Sequence, residues 1–164
     1  MRAVELTPDA LTAIRRHARA TYPLECCGFL IATPDPTDPD SPRRIVEAEP
    51  ASNQDTGDRR RRFVIRPDEL RAAESRREGS GHVVAGFYHS HPDHPARPSL
   101  FDQEHAWPWY SYLVVGVTGR SESSVAAFEL DPDSRMFREV ALTTAASDEV
   151  KDTESLSAAM PKEG

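Results

Sequence analysis

Apolar positions Leu11, Ile14 and Ala18 recur at helical spacing after Thr7-Pro8, a capping residue followed by proline at the first helical position, and this predicts a helix over 7–19. Beyond Tyr22-Pro23, the unbroken apolar run Cys27–Ala32 predicts a buried strand. Residues 33–42 interleave Pro and Asp without any period and predict a loop. Strands are predicted at Arg43–Ala51 and, more briefly, Phe63–Arg66. Pro67 opens a predicted helix that runs to about Glu78 and ends at Gly79-Ser80-Gly81. Val83–His89 predicts a strong strand, apolar until its His-rich end. A proline loop over 92–98 follows, then a short helix from Ser99 that stops at Trp107-Pro108. Three further strands are predicted at Ser111–Thr118, Ser124–Leu130 and Met136–Leu142. Residues 143–164, rich in Ser, Ala, Asp, Glu and Lys, predict a disordered acidic tail behind a domain of residues 1–142. Helices and strands interleave, but the last three strands run in succession. The predicted class is therefore α/β, a single domain with a mixed β-sheet flanked by helices.

Length and composition agree with that class. A chain of 164 residues is one domain's worth and can close a hydrophobic core without disulfides. No apolar run approaches a membrane span, and the opening residues lack the basic-then-apolar order of a signal peptide. The net charge of −7 argues against a general nucleic-acid binder, which gains affinity by neutralising phosphates. Eighteen of the twenty basic residues are Arg, the two lysines being Lys151 and Lys162. Cys26 and Cys27 are adjacent, a spacing that suits neither an unstrained disulfide nor a zinc knuckle. The expected location is the reducing cytoplasm.

The chemistry concentrates in residues 89–102, HSHPDHPARPSLFD. His89 and His91 stand two apart at a strand end, so their imidazoles leave the same face and can chelate one ion. Asp102, on the first turn of the next helix, can return as a carboxylate third ligand. Two His and one carboxylate leave a fourth position open, as in a catalytic zinc site. Ser99 and Asp102 also have the spacing of a helix capping box, and both readings can hold at once. His94 and His105 are alternative ligands, read more simply as outer or solvent histidines. Arg59–Arg62 is a compact basic run, either a solvated loop or a surface for an acidic patch on a partner.

The order H-x-H-P, a gap, then S-x-x-D resembles the JAMM/MPN-plus zinc metallopeptidases, which remove ubiquitin or ubiquitin-like proteins. Glu25, in Leu24-Glu25-Cys26-Cys27-Gly28, stands where that family has its upstream Glu. The likeness runs from about residue 3 to 142 in the order of elements and implies the MPN/JAMM (cytidine deaminase-like) fold. It implies His89, His91 and Asp102 as ligands of one Zn2+ per chain, Glu25 as general base and Ser99 as donor to the oxyanion. The chain is most similar to the compact prokaryotic type, the sulfur-carrier-protein peptidases and desampylases. The resemblance therefore implies, as substrate, a ubiquitin-like or sulfur-carrier protein with a Gly-Gly C-terminus, while charge and composition predict no nucleic-acid or membrane partner. A catalytically silent MPN scaffold is the alternative, against which the filled motif argues. A zinc deaminase would need H-x-E with a later P-C-x-x-C, which is missing here.

Overall fold

A computed structural model of the chain describes residues 2–119 and 121–144, and of Glu122 and Ser123 only the backbone. The elements run β1 (Val4–Leu6), α1 (Pro8–Thr21), β2 (Cys27–Ala32), β3 (Arg43–Ala51), α2 (Pro67–Arg77), β4 (Val83–Pro92), α3 (Leu100–Glu104), β5 (Ser111–Thr118), β6 (Ser121–Leu130), β7 (Phe137–Val140) and β8 (Leu142–Thr144). All eight strands form one sheet in the order β7-β6-β5-β4-β2-β3-β1-β8. Pairs β4–β5, β1–β3 and β1–β8 are parallel, and the remaining neighbours are antiparallel. The mixed α/β class predicted from the sequence holds. Among the described residues no helix is long and apolar enough to cross a membrane.

Each face of the sheet carries its own core. Helix α1 buries Ala10, Ile14 and Ala18 against Leu30, Tyr88, Leu113 and Val115, its first turn capped by Thr7, which accepts from the Ala10 amide. Leu70 and Ala73 of α2 join Phe29, Phe87, Tyr112 and Val114 on the opposite face. Alternation along β4 thus sends Phe87, His89 and His91 to the α2 face, and Tyr88 and Ser90 to the α1 face. Gly28 makes room for this arrangement, because a Cβ there would lie 2.3 Å from the ring of Tyr88 on the neighbouring strand.

Three expectations need correction. Phe63–Arg66 is not a strand. The Val64 amide donates to the Asn53 side chain and its carbonyl accepts from the Gln54 amide, so the segment is held by a loop instead of a sheet ladder. The expected strand Met136–Leu142 is two strands at opposite ends of the sheet order, separated by Ala141 alone. The two sheet edges therefore converge there, and the Ala141 carbonyl accepts from the Val4 amide at 2.9 Å. Thr143 and Thr144, expected in the tail, belong to β8 and pair with β1; the rest of the expected tail, 145–164, lies outside the described residues.

Candidate metal centre

Strand β4 carries the H-x-H pair to its C-terminal end, between β2 and the parallel strand β5. The first turn of α3 brings Asp102 over both rings. Its Oδ2 lies 3.1 Å from His89 Nε2 and 3.3 Å from His91 Nε2. All three side chains are buried, and their ligand atoms lie within 4.8 Å of one another. Helix α3 achieves this through the capping box. The Asp102 amide donates to Ser99 Oγ at 3.1 Å, and the Ser99 amide donates to Asp102 Oδ2 at 2.8 Å. The capping reading of this motif is thus realised, in a geometry that also turns Asp102 toward both imidazoles.

Nitrogen and oxygen donors of this kind suit zinc. Two ligands each about 2.1 Å from a tetrahedral ion stand about 3.4 Å apart, close to both separations measured to Asp102. His91 Nδ1 lies 3.1 Å from the Pro95 carbonyl, which can only accept, so Nδ1 donates to it and the ring is held with Nε2 turned toward Asp102. Two buried polar atoms, His89 Nδ1 within the group and Glu25 Oε1 near it, have no hydrogen-bond partner among the described residues. A buried atom left so costs about 1–3 kcal/mol, and the residues present fit a bound cation.

Glu25 reaches this face by strand register. Cys27 is paired with His89, and the Ser90 amide donates to the Cys26 carbonyl. Glu25 lies two residues before Cys27, just ahead of β2, and the alternation continued from Cys27 turns it toward the face of His89 and His91, where the Asp102 charge acts on its carboxyl. The Cys26 amide also donates to Ser90 Oγ at 2.8 Å, and the Glu25 amide to the Arg59 carbonyl at 2.7 Å. Burial, with the nearby charges of Asp102, Asp55 and Asp58, pushes the Glu25 carboxyl up to about 9. Burial also acts to raise Asp102, but the charge on His89 and hydrogen bonds from His89, His91 and Ser99 hold it well below the usual carboxylate range.

The remaining candidates stay outside the group. His94 is exposed, its ring 6.3 Å from that of His91, while His105 donates from Nδ1 to the Phe101 carbonyl and stacks on the Phe101 ring. Both thiols are free and buried. Burial pushes Cys26 up to about 11 and Cys27 higher still, the opposite of what a thiolate nucleophile needs. One feature escapes the sequence reading. A pocket of about 270 Å3 opens beside His89 and Asp102, walled by Phe63, Ile65, Phe87, Phe101, Trp107 and Tyr112. Phe63 stacks on His89 at 4.4 Å between ring centres. The signal for it was the apolar triplet Phe63-Val64-Ile65 directly after the arginine run, an unusual place for exposed hydrophobics.

Fold and site together define a mixed-sheet domain of the JAB/MPN class with a two-histidine, one-carboxylate group at a strand end. The chain belongs to the prokaryotic homologues of the JAB domain, whose sequence profile matches residues 7–131. It is 34% identical to a protein named desampylase from Haloferax volcanii over 122 residues, which are 71% of this chain and 83% of that one. A protein from Escherichia phage N15 named tail tip assembly protein K is 35% identical over 104 residues, 61% of this chain but only 37% of its own length. A solution structure of a Desulfitobacterium hafniense protein superposes with a TM-score of 0.73 at 28% identity, covering 89% of this chain and 95% of the other. The crystal structure of a JAB1/MPN domain protein from Archaeoglobus fulgidus shares the fold, with a TM-score of 0.55 at 19% identity over 87% of this chain and 98% of the other.

Proposed function

We propose that the protein is a zinc-dependent isopeptidase that hydrolyses the bond after the C-terminal Gly-Gly of a ubiquitin-like, sulfur-carrier-type protein. The observation that carries this reading is the buried Glu25 carboxyl, on which the Asp102 charge acts, beside the converging His89, His91 and Asp102, in a chain similar to a desampylase. His89, His91 and Asp102 would hold the zinc, which would supply Lewis acidity to the scissile carbonyl and the attacking water. Glu25 takes up the proton released by the attacking water and returns it to the leaving amine. Its burial favours the protonated form that has to exist between those two transfers. Ser99 Oγ accepts from the Asp102 amide, which leaves its own proton to donate to the developing oxyanion. The apolar pocket beside His89 holds the substrate chain against the centre and keeps bulk water from it. The protein acts in the cytoplasm, where its two thiols stay reduced.

The similarity to a protein named for tail tip assembly favours a second reading, a silent scaffold. Three donors converging near a buried carboxyl whose Oε1 has no partner among the described residues are of no use to a scaffold, so the hydrolase reading stands first. Intact-mass analysis tests it. A ubiquitin-fold carrier bearing a lysine-linked adduct on its Gly-Gly end is expected to lose the adduct with zinc-loaded protein and to keep it after chelation. Uncleaved carrier under both conditions rejects the proposal.

A further inference from the structure

We propose that the exposed arginine run Arg59–Arg62 is a docking surface for an acidic face on the folded ubiquitin-like carrier. This inference rests on the isopeptidase reading and adds the chemistry by which the partner is chosen. All four side chains are exposed. Their backbone is tied to the centre, because the Glu25 amide donates to the Arg59 carbonyl at 2.7 Å. At the other end of the run the Arg62 guanidinium lies 4.7 Å from the centre of the Phe101 ring, on the wall of the apolar pocket. The run therefore spans the approach from the base-bearing segment to the pocket beside the ligands.

Charge gives the partner its sign. Residues 52–66 hold five Arg against two Asp, in a chain whose net charge is −7. Positive charge is thus concentrated at one mouth of an otherwise acidic protein. A folded partner of negative surface is attracted to that mouth and repelled from the rest, which orients it before contact. Leu24 and Leu100, exposed and adjacent in sequence to Glu25 and Ser99, supply apolar contact inside the charged rim. The same residues argue against a nucleic acid. Asp55 and Asp58 are interspersed with the run, with Asp58 4.0 Å from Arg61, and interrupt the continuous positive track that a phosphate backbone needs.

The test is a fluorescence titration of the zinc-loaded full chain with a labelled ubiquitin-fold protein of strongly negative charge ending in Gly-Gly. Arg59→Gln, Arg60→Gln and Arg61→Gln are combined, which removes the positive charge without adding carboxylates near Glu25 and leaves Arg62 on Phe101. The triple variant is expected to bind about tenfold or more weakly at low ionic strength, with the gap closing as salt rises. Equal binding by the two proteins overturns the proposal. So does tight binding of a single-stranded oligonucleotide that competes with the carrier. Hydrolysis of a short Gly-Gly aminocoumarin peptide, which spans too little to meet the run, is expected to match wild type in the triple variant. Loss of peptide turnover from the variant alone would make the run part of the cleft and overturn its role as a carrier surface. No turnover by wild type would fail the isopeptidase reading, while the binding titration still decides the docking surface.

Discussion

At Glu25, burial opposes the carboxylate that a general base needs, and the positive charge of a bound cation would restore it. The folded-state Glu25 pKa of about 9 stands above the ordinary value of 4.5, so the metal-free native protein holds a proton that the unfolded chain releases between those limits. Stability of the metal-free protein therefore falls as pH rises through that window. Glu25→Gln removes the titration. In chelator-treated samples the variant is expected to melt above wild type at pH 8, with the two converging as the pH drops toward 4.5. With zinc restored, the same variant is expected to keep the metal but lose about 10²–10⁴-fold in turnover, because the proton acceptor is gone. Zinc lost from this variant would make Glu25 a ligand, and unchanged turnover would remove it from the mechanism. The convergence of His89 and His91 was legible in the sequence because a strand's period of two puts an H-x-H pair on one face, and that of Asp102 because its spacing from Ser99 marks a capped helix turn. Glu25 was not legible by itself. A carboxylate before an apolar strand has no local signature, and only the pairing of β2 with β4 carries the segment ahead of Cys27 to the strand end that bears the histidines.

The five-residue helix α3 shows how one element can serve stability and chemistry together. Ser99 is its N-cap and the expected oxyanion donor. Capping and donation separate on substitution. Ser99→Ala is expected to cost about 1 kcal/mol of stability, and Ser99→Gly only about a few tenths. Both remove the hydroxyl, so both are expected to lower turnover alike, by about 10²–10³-fold. Thermal melts with paired kinetics check this, and near-wild-type turnover by the glycine variant would reduce Ser99 to a cap. Elements with their own periodicity, such as α1 and Cys27–Ala32, were readable from the chain. Strand β1 was not, because its three residues hold too little pattern and its partners β3 and β8 are remote in sequence. Phe63–Arg66 misled for a different reason. Its apolar residues cover His89 and wall the pocket, and do not pair in the sheet.

Across the whole molecule, the sheet closes toward itself where β7 and β8 meet at Ala141, so the C-terminal strand has structural weight that composition did not reveal. Removing residues 145–164 is expected to leave melting temperature and activity nearly unchanged, since that segment has no apolar periodicity. Removing residues 142–164 strips β8 from β1 and is expected to lower the melting temperature by several degrees. Equal melting of the two truncations would show that β8 contributes nothing to stability. The central claim is that one ion is shared by ligands which β4 and α3 bring within 4.8 Å of one another. Native mass spectrometry of the zinc-loaded protein tests it most directly. Wild type is expected to carry one zinc per chain, and the folded His89→Ala/His91→Ala variant none; full zinc retention by that variant would contradict the account.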